Sequence, residues 1–358
     1  MPVRRTLLIS STESRPVSVN SSPALPHCET VTLPPGSPLP DWLLNHSVPV
    51  KLNNYVEHWP AVEHSRNSDR SLCGHLLQFY TGEPMGFFFA DPSARGRFFY
   101  NEDMTGFNFE KVAADLGLFL KKLLESTELN APPGMYIGGT HLQHYLPGFS
   151  AQNPPVPVPS GNVRNGLWVG NRTRVAIHQD LPLNIACCVA GRRKFTLFPP
   201  SQTPHLYIGP LDFTPSGQPV SLVDLHNIDH DRYPLFKQAL QHGLVAELSP
   251  GDALFVPSMW WHEVEALAPF NVLVNYWWRT TPAYADAPVH ALHHALLSIA
   301  GLPASEKQIW QDIFNHYVFN DDANASDHIP PSARGILGEM DEDRARQLRS
   351  LLLQSLQR

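Results

Sequence analysis

Apolar residues in the middle of the chain arrive in brief runs, and most runs stop at Gly, Pro, Asp or Asn. LWVG (167–170), RVAIHQD (174–180), NIACCVAG (184–191) and KFTLFPP (194–200) follow closely on one another. LVAEL (244–248), ALFVP (253–257), HEVEAL (262–267) and FNVLVNYWWR (270–279) resume after a long polar stretch. Short strands separated by turn residues at this spacing predict a jelly-roll or barrel. The stretch between, 201–243, has little apolar pattern and reads as an insertion.

Upstream, the pattern predicts a short helix around Trp42, a strand from Val48 to Leu52 and a helix from Leu72 to Tyr80. FFFADP and RFFYNE read as two strands around a turn at 92–96. Apolar residues at 112, 116, 119, 120, 123 and 124 predict an amphipathic helix from Phe109 to Leu124. MYIGGTHL (135–142) reads as a strand, and NPPVPVPSGN (153–162) as a Pro-rich connector. From Pro288 three helical patterns follow, with Ser305 and Asp341 placed as N-caps of the second and third. In the last, Leu348, Leu351, Leu352 and Leu356 form one stripe that must be buried, on its own barrel or on a second subunit. The expected class is therefore mainly β with flanking helices, an α+β chain.

Composition trims the functional classes. The 358 residues carry a net charge of −7, which offers no broad attraction for nucleic acid. No apolar run is long enough to span a bilayer. The opening MPVRRTLLIS does not read as a signal peptide. Four cysteines suggest neither a disulfide framework nor a zinc ribbon, so a cytoplasmic location is expected. Thirty-five prolines fit many turns between short strands.

The candidate chemistry lies in VAIHQD. His178 and Asp180, two apart on a strand, leave the same face. A third ligand from another strand, His262 in PSMWWHEV, would complete two imidazoles and a carboxylate, a set that suits non-haem Fe(II) with open positions. His-x-Asp by itself is a pattern chance can supply, and its ordinary reading is a surface pair. The context therefore decides.

That context is a resemblance. The order LWVG, HQD, Asn184, GRRKFTLFPP, LSPGDALFVPSMWWHEV and VNYWW resembles the JmjC-type cupin-like oxygenases. The most similar branch contains the asparaginyl hydroxylase of hypoxia-inducible factor and bacterial cupin-like proteins. PVKLNNYVEHWPAV resembles the start of the same domain. The resemblance covers roughly residues 40–280 and implies a double-stranded β-helix for the domain taken as 39–284. Residues 1–38, rich in Ser and Pro without periodicity, read as a loosely ordered arm, and the helical patterns of 285–358 as a region that could form a homodimer. It implies Fe(II), 2-oxoglutarate as co-substrate and O2. It places His178, Asp180 and His262 on the metal positions. Tyr136, Asn184, Asn275 and Trp277 fall beside the co-substrate. Arg193 stands where the family has a lysine for the distal carboxylate; Lys194 is its neighbour, on the other strand face unless a bulge shifts the register. Val175 replaces a threonine common in the family three residues before the first histidine.

The implied activity is hydroxylation of a C–H bond, with a protein or peptide side chain as the preferred substrate. Two other readings stay open. One is a metal-binding cupin that acts as a ligand-binding or interaction module. The other is a cupin enzyme that does not use 2-oxoglutarate.

Overall fold

The computed structural model describes residues 24–159, 162–320 and 325–357. The strands are β1 (Glu29–Val31), β2 (Val50–Leu52), β3 (Met85–Ala90), β4 (Arg97–Phe98), β5 (Phe109–Ala114), β6 (Gly134–His141) and β7 (Arg164–Gly170). They continue with β8 (Arg174–Gln179), β9 (Leu183–Ala190), β10 (Arg193–Phe198), β11 (Leu244–Leu248), β12 (Ala253–Val256), β13 (Trp261–Ala266) and β14 (Asn271–Trp278). One sheet runs β1-β2-β12-β9-β14-β7-β6-β3-β5; the other runs β11-β10-β13-β8-β4. This is the two-sheet cupin architecture, with an α+β balance.

The central strands of the large sheet serve two cores. On β9, Ile185, Cys187 and Val189 face the helical side, while Ala186 and Cys188 face the space between the sheets. Both faces are covered, so the strand reads as a continuous apolar run rather than an alternation. The inter-sheet core adds Phe195 and Leu197 from β10, Leu254 and Val256 from β12 and Leu273 from β14. Behind the large sheet lie α1 (Asp41–Leu44), α2 (Pro60–Asn67), α3 (Asp69–Leu77) and α4 (Leu116–Ser126), whose Leu43, Val62, Leu72 and Phe119 are buried. Short α5 (Leu142–Tyr145) and α6 (Phe149–Gln152) close that side.

Several expectations need correction. Phe109–Ala114 is a strand paired antiparallel with β3, and the helix starts only at Leu116. The cause is Asp115, which takes extended backbone and accepts the amide of Leu118 at 3.0 Å, an N-cap that resets the chain. FFFADP and RFFYNE are two strands around a turn, as expected, but β3 joins the large sheet and β4 the small one, so the turn is a crossover between sheets. The 201–243 stretch has a core of its own. Leu206, Val223, Tyr233 and Phe236, the last in α7 (Phe236–Gln241), pack with Ile177, Phe198 and Trp261 on the outer face of the small sheet. Of the arm expected at 1–38, residues 1–23 lie outside the described residues. The remainder is tied in, by β1 against β2 and by Cys28 N–H on Val245 O at 2.9 Å.

A first compact unit ends at Trp278, and a second runs from Arg279. The second holds α8 (Pro288–Ser298), α9 (Ala304–Phe314) and α10 (Glu342–Leu356). Asp341 caps α10 through the amide of Arg344, as expected. Ser305 is not a cap, because α9 begins one residue earlier after Pro303.

A buried polar contact pins α2 and α3. His75 stacks on His64 with ring centroids 4.5 Å apart, and Asn153 Nδ2 donates to His75 Nε2 at 3.3 Å. Asn153 also accepts the amide of Ala61 at 2.8 Å, so the Pro-rich connector starts with an anchor. Burial, then His64, hold His75 below the ordinary imidazole range. The unfolded chain therefore takes the proton first as pH falls. This contribution to stability is whole above about pH 6.5 and is lost progressively below it, down to the folded-state pKa. Urea midpoints at pH 7.5 and pH 5 should separate more for the wild type than for His75→Phe. Equal separations would rule the effect out.

Candidate metal centre

The site is built where β8 and β13 pair. His262 lies opposite His178, and Val264 lies opposite Val175, so β8 carries one extra residue in between. Such a bulge re-aims side chains. Here Val175 packs with Phe98 and Tyr136 on the inner side, Ile177 with Trp261 on the outer side, and His178 turns back inward. Three residues apart, Val175 and His178 thus serve one face. Opposite the bulge, buried Glu263 sits near Glu265, His226 and Arg174, and burial pushes its carboxyl up to about 7.

The donor atoms of His178, Asp180 and His262 all lie within 4.8 Å of one another. The imidazoles are 4.3 Å apart at their centroids, and His262 Nε2 is 3.9 Å from Asp180 Oδ2. Both rings are oriented from behind in the same way. His178 Nδ1 sits 2.9 Å from Ala176 O, and His262 Nδ1 sits 2.9 Å from Trp260 O. Each Nδ1 then carries the proton and donates it to a carbonyl, which leaves each Nε2 lone pair free for a metal. Asp180 is held too: Trp277 Nε1 donates to its Oδ2 at 3.1 Å, and Met259 N–H to its backbone O at 2.9 Å. His262 is buried, and burial followed by His178 pushes its pKa down to about 4. A pair of neutral imidazoles beside a carboxylate matches the donor set of a divalent metal.

Along the same interior face lie the other residues singled out from sequence. Asn275 Nδ2 donates to Asn184 Oδ1 at 3.2 Å, and Asn275 Oδ1 accepts from Trp168 Nε1 at 2.7 Å. Gly166 makes room for this group: a Cβ there would stand 2.8 Å from both Asn275 Oδ1 and the Trp277 ring. Trp168 was not singled out from sequence, although LWVG contains it. Its role shows only once β7 and β14 are paired. Tyr136 and Arg193 lie deeper. Burial raises the Tyr136 phenol, with Arg193 partly opposing, so the phenol keeps its proton and remains a donor.

Arg193 is 2% exposed, and its Nε and Nη2 have no hydrogen-bond partner among the described residues. Burial lowers its pKa, yet a guanidinium stays charged in proteins. Lys194 takes the other face of β10, part-exposed, with Nζ 3.8 Å from Glu265. It is not brought to the interior. The insertion also touches the site, since Val220 bridges to His178 and Ser221 N–H donates to Ile177 O at 2.8 Å.

Two imidazoles and a carboxylate converging inside a two-sheet β-helix define a cupin fold of the JmjC type. Residues 37–284 match the cupin-like domain family, and the chain belongs to it. Among similar proteins are HSPB1-associated protein 1 of Rattus norvegicus, 39% identical over 120 residues, which are 32% of this chain and 24% of that protein. The lysine-specific demethylase JMJ31 of Arabidopsis thaliana is 35% identical over 115 residues, 32% of this chain and 20% of that protein. The tRNA wybutosine-synthesizing protein 5 of Gallus gallus is 35% identical over 106 residues, 30% of each chain. The matches span less than a third of the length of these relatives.

Proposed function

We propose that the chain is an Fe(II)- and 2-oxoglutarate-dependent dioxygenase that hydroxylates a C–H bond on a protein side chain. The observation that carries this reading is the pairing of a metal-ready His178–Asp180–His262 set with a buried, unpartnered arginine inside the same barrel. A buried cation without a partner is costly and is explained by an anion it holds at work. On β10, Arg193 lies four residues from Leu197, which is opposite His262. That spacing is about 13 Å along the strand. It suits an arginine reaching the far carboxylate of a five-carbon dicarboxylate chelated at the metal.

When bound, iron and 2-oxoglutarate supply the oxidising chemistry. The chain's own residues set its stage. His178, Asp180 and His262 would hold the metal through donor atoms that converge within 4.8 Å. Trp277 fixes the Asp180 carboxylate, and the carbonyls of Ala176 and Trp260 fix the imidazoles. Arg193 and the protonated Tyr136 offer donors to the distal carboxylate. Val175, Phe195 and Trp168 line an apolar interior that keeps water out. Val175, standing where the family commonly has a threonine, leaves that wall without a hydroxyl.

The net charge of −7 and the absence of a Cys/His cluster outside the metal set among the described residues favour a protein substrate over nucleic acid or chromatin. One relative is named for a protein it associates with, another as a lysine demethylase. Anaerobic Fe(II) plus 2-oxoglutarate should give a weak visible charge-transfer band. No band with Fe(II) bound would favour the non-oxygenase module.

We further infer a homodimer through the C-terminal unit. Leu297 on α8, Val318 and Phe319 in the turn after α9, and Leu353 and Leu356 on α10 are all more than half exposed, too much apolar surface to leave in water. Light scattering should give twice the chain mass; a monomer mass at all concentrations would remove the dimer. No helix among the described residues is long and apolar enough to cross a membrane.

A further inference from the structure

On the outer face of the small sheet, away from the inter-sheet core, lies a cleft of about 620 Å³. Its lining includes Arg95, Arg172, Arg174, Asp224, His226 and Glu265. The volume lies in the range of small-molecule sites, which run from about 300 to 1,000 Å³.

The charges in it divide into a settled set and a free set. Asp224 takes Arg174 at 2.7 Å and Arg97 at 3.7 Å. Glu265 takes His226 at 2.9 Å and Lys194 at 3.8 Å. Nearby Arg192 is paired with Glu247 at 2.6 Å. The guanidiniums of Arg95 and Arg172 have no carboxylate or hydrogen-bond acceptor among the described residues. Both carboxylates of the cleft are thus already neutralised from within the protein, and the two remaining cations give it a positive rim.

The two free arginines are also held in fixed neighbouring turns. Gly96, at φ +75°, presses its Cα on the Arg172 carbonyl so closely that a Cβ would stand 2.1 Å from that oxygen. Its own carbonyl accepts the amide of Arg174 at 2.7 Å. Only glycine fits that approach, and it locks the Arg95 turn onto the Arg172 turn.

We propose that this cleft binds a phosphate monoester of mononucleotide size, with the phosphate between Arg95 and Arg172. Two planar forks arriving from separate turns need more acceptor oxygens than one carboxylate offers, and a phosphate supplies three. Asn227, and the His226 ring nitrogen not engaged by Glu265, can hydrogen-bond the remainder of the ligand, and Ala266 and Leu267 line the cleft beside them. The site does not depend on the metal reading, since none of its residues belongs to the metal centre.

The test uses the full chain and isothermal titration at moderate salt with adenosine monophosphate, inorganic phosphate and an eight-nucleotide RNA. Adenosine monophosphate should bind, and the R95A/R172A double variant should weaken it at least tenfold. Inorganic phosphate should bind more weakly and be lost in the same variant. Both arginines are exposed, so the variant should keep the wild-type melting temperature. A single variant, Gly96→Ala, should separate the turns and weaken binding while both guanidiniums remain. The proposal is overturned if adenosine monophosphate does not bind at millimolar concentration, if the double variant binds it unchanged, or if only the RNA binds.

Discussion

His178→Ala is expected to abolish the proposed 2-oxoglutarate turnover and the visible band with Fe(II), while the barrel keeps its melting temperature within a few degrees. The His178 ring packs on His262 at the sheet interior rather than deep in an apolar core, so its removal leaves no large apolar cavity. The loss of function is large because two ligands remain where three converge within 4.8 Å. Substitution of groups that merely orient a ligand typically costs about 10- to 100-fold in metal affinity, and loss of a ligand should exceed that. Turnover measured as succinate formation in purified, Fe(II)-supplemented protein checks it. An unchanged rate would defeat the assignment of the metal centre.

Much of this was legible in the sequence, for a physical reason. The strands of the barrel are buried on both faces or end in Gly, Pro and Asp turns, so β7 to β14 stand out as apolar runs of the right length. The order of the short motifs around His178 and His262 then gave the fold class and the site as a set. What escaped depended on contacts distant in sequence. Phe109–Ala114 has spacings that suit a helix, and only its pairing with β3, ending at the Asp115 cap, makes it a strand. The bulge on β8 leaves no mark in RVAIHQD, yet it lets Val175 and His178 share a face at an odd separation. Trp168 joins the asparagine pair only through the β7–β14 register. The insertion looked featureless because its apolar residues are spaced irregularly along a folded loop, and they meet only against Ile177 and Trp261.

The choice between Arg193 and Lys194 is the place where sequence left two readings and the structure separates them by face. Arg193→Met should therefore move two quantities in opposite directions. In the protein without co-substrate, the substitution replaces a buried guanidinium having two unpartnered nitrogens with an apolar side chain of similar length. Exchanging a buried charge for a packed apolar group is often neutral or stabilising by about 1–4 kcal/mol, so the melting temperature should hold or rise. Binding of 2-oxoglutarate should fall sharply. A hydrogen bond to a charged group contributes about 1.5–3 kcal/mol, and losing a two-pronged pair costs roughly 100-fold or more in affinity. Arg193→Lys keeps the charge without the fork and should fall between the two. Lys194→Met, on the outer face beside Glu265, should leave the affinity within about twofold, since an exposed ion pair contributes little. Titration of 2-oxoglutarate against the Fe(II)-loaded proteins, read from the charge-transfer band, measures all three. An Arg193→Met protein that melted lower and bound 2-oxoglutarate normally would make the guanidinium a prop of the barrel, and the co-substrate assignment would fail with it.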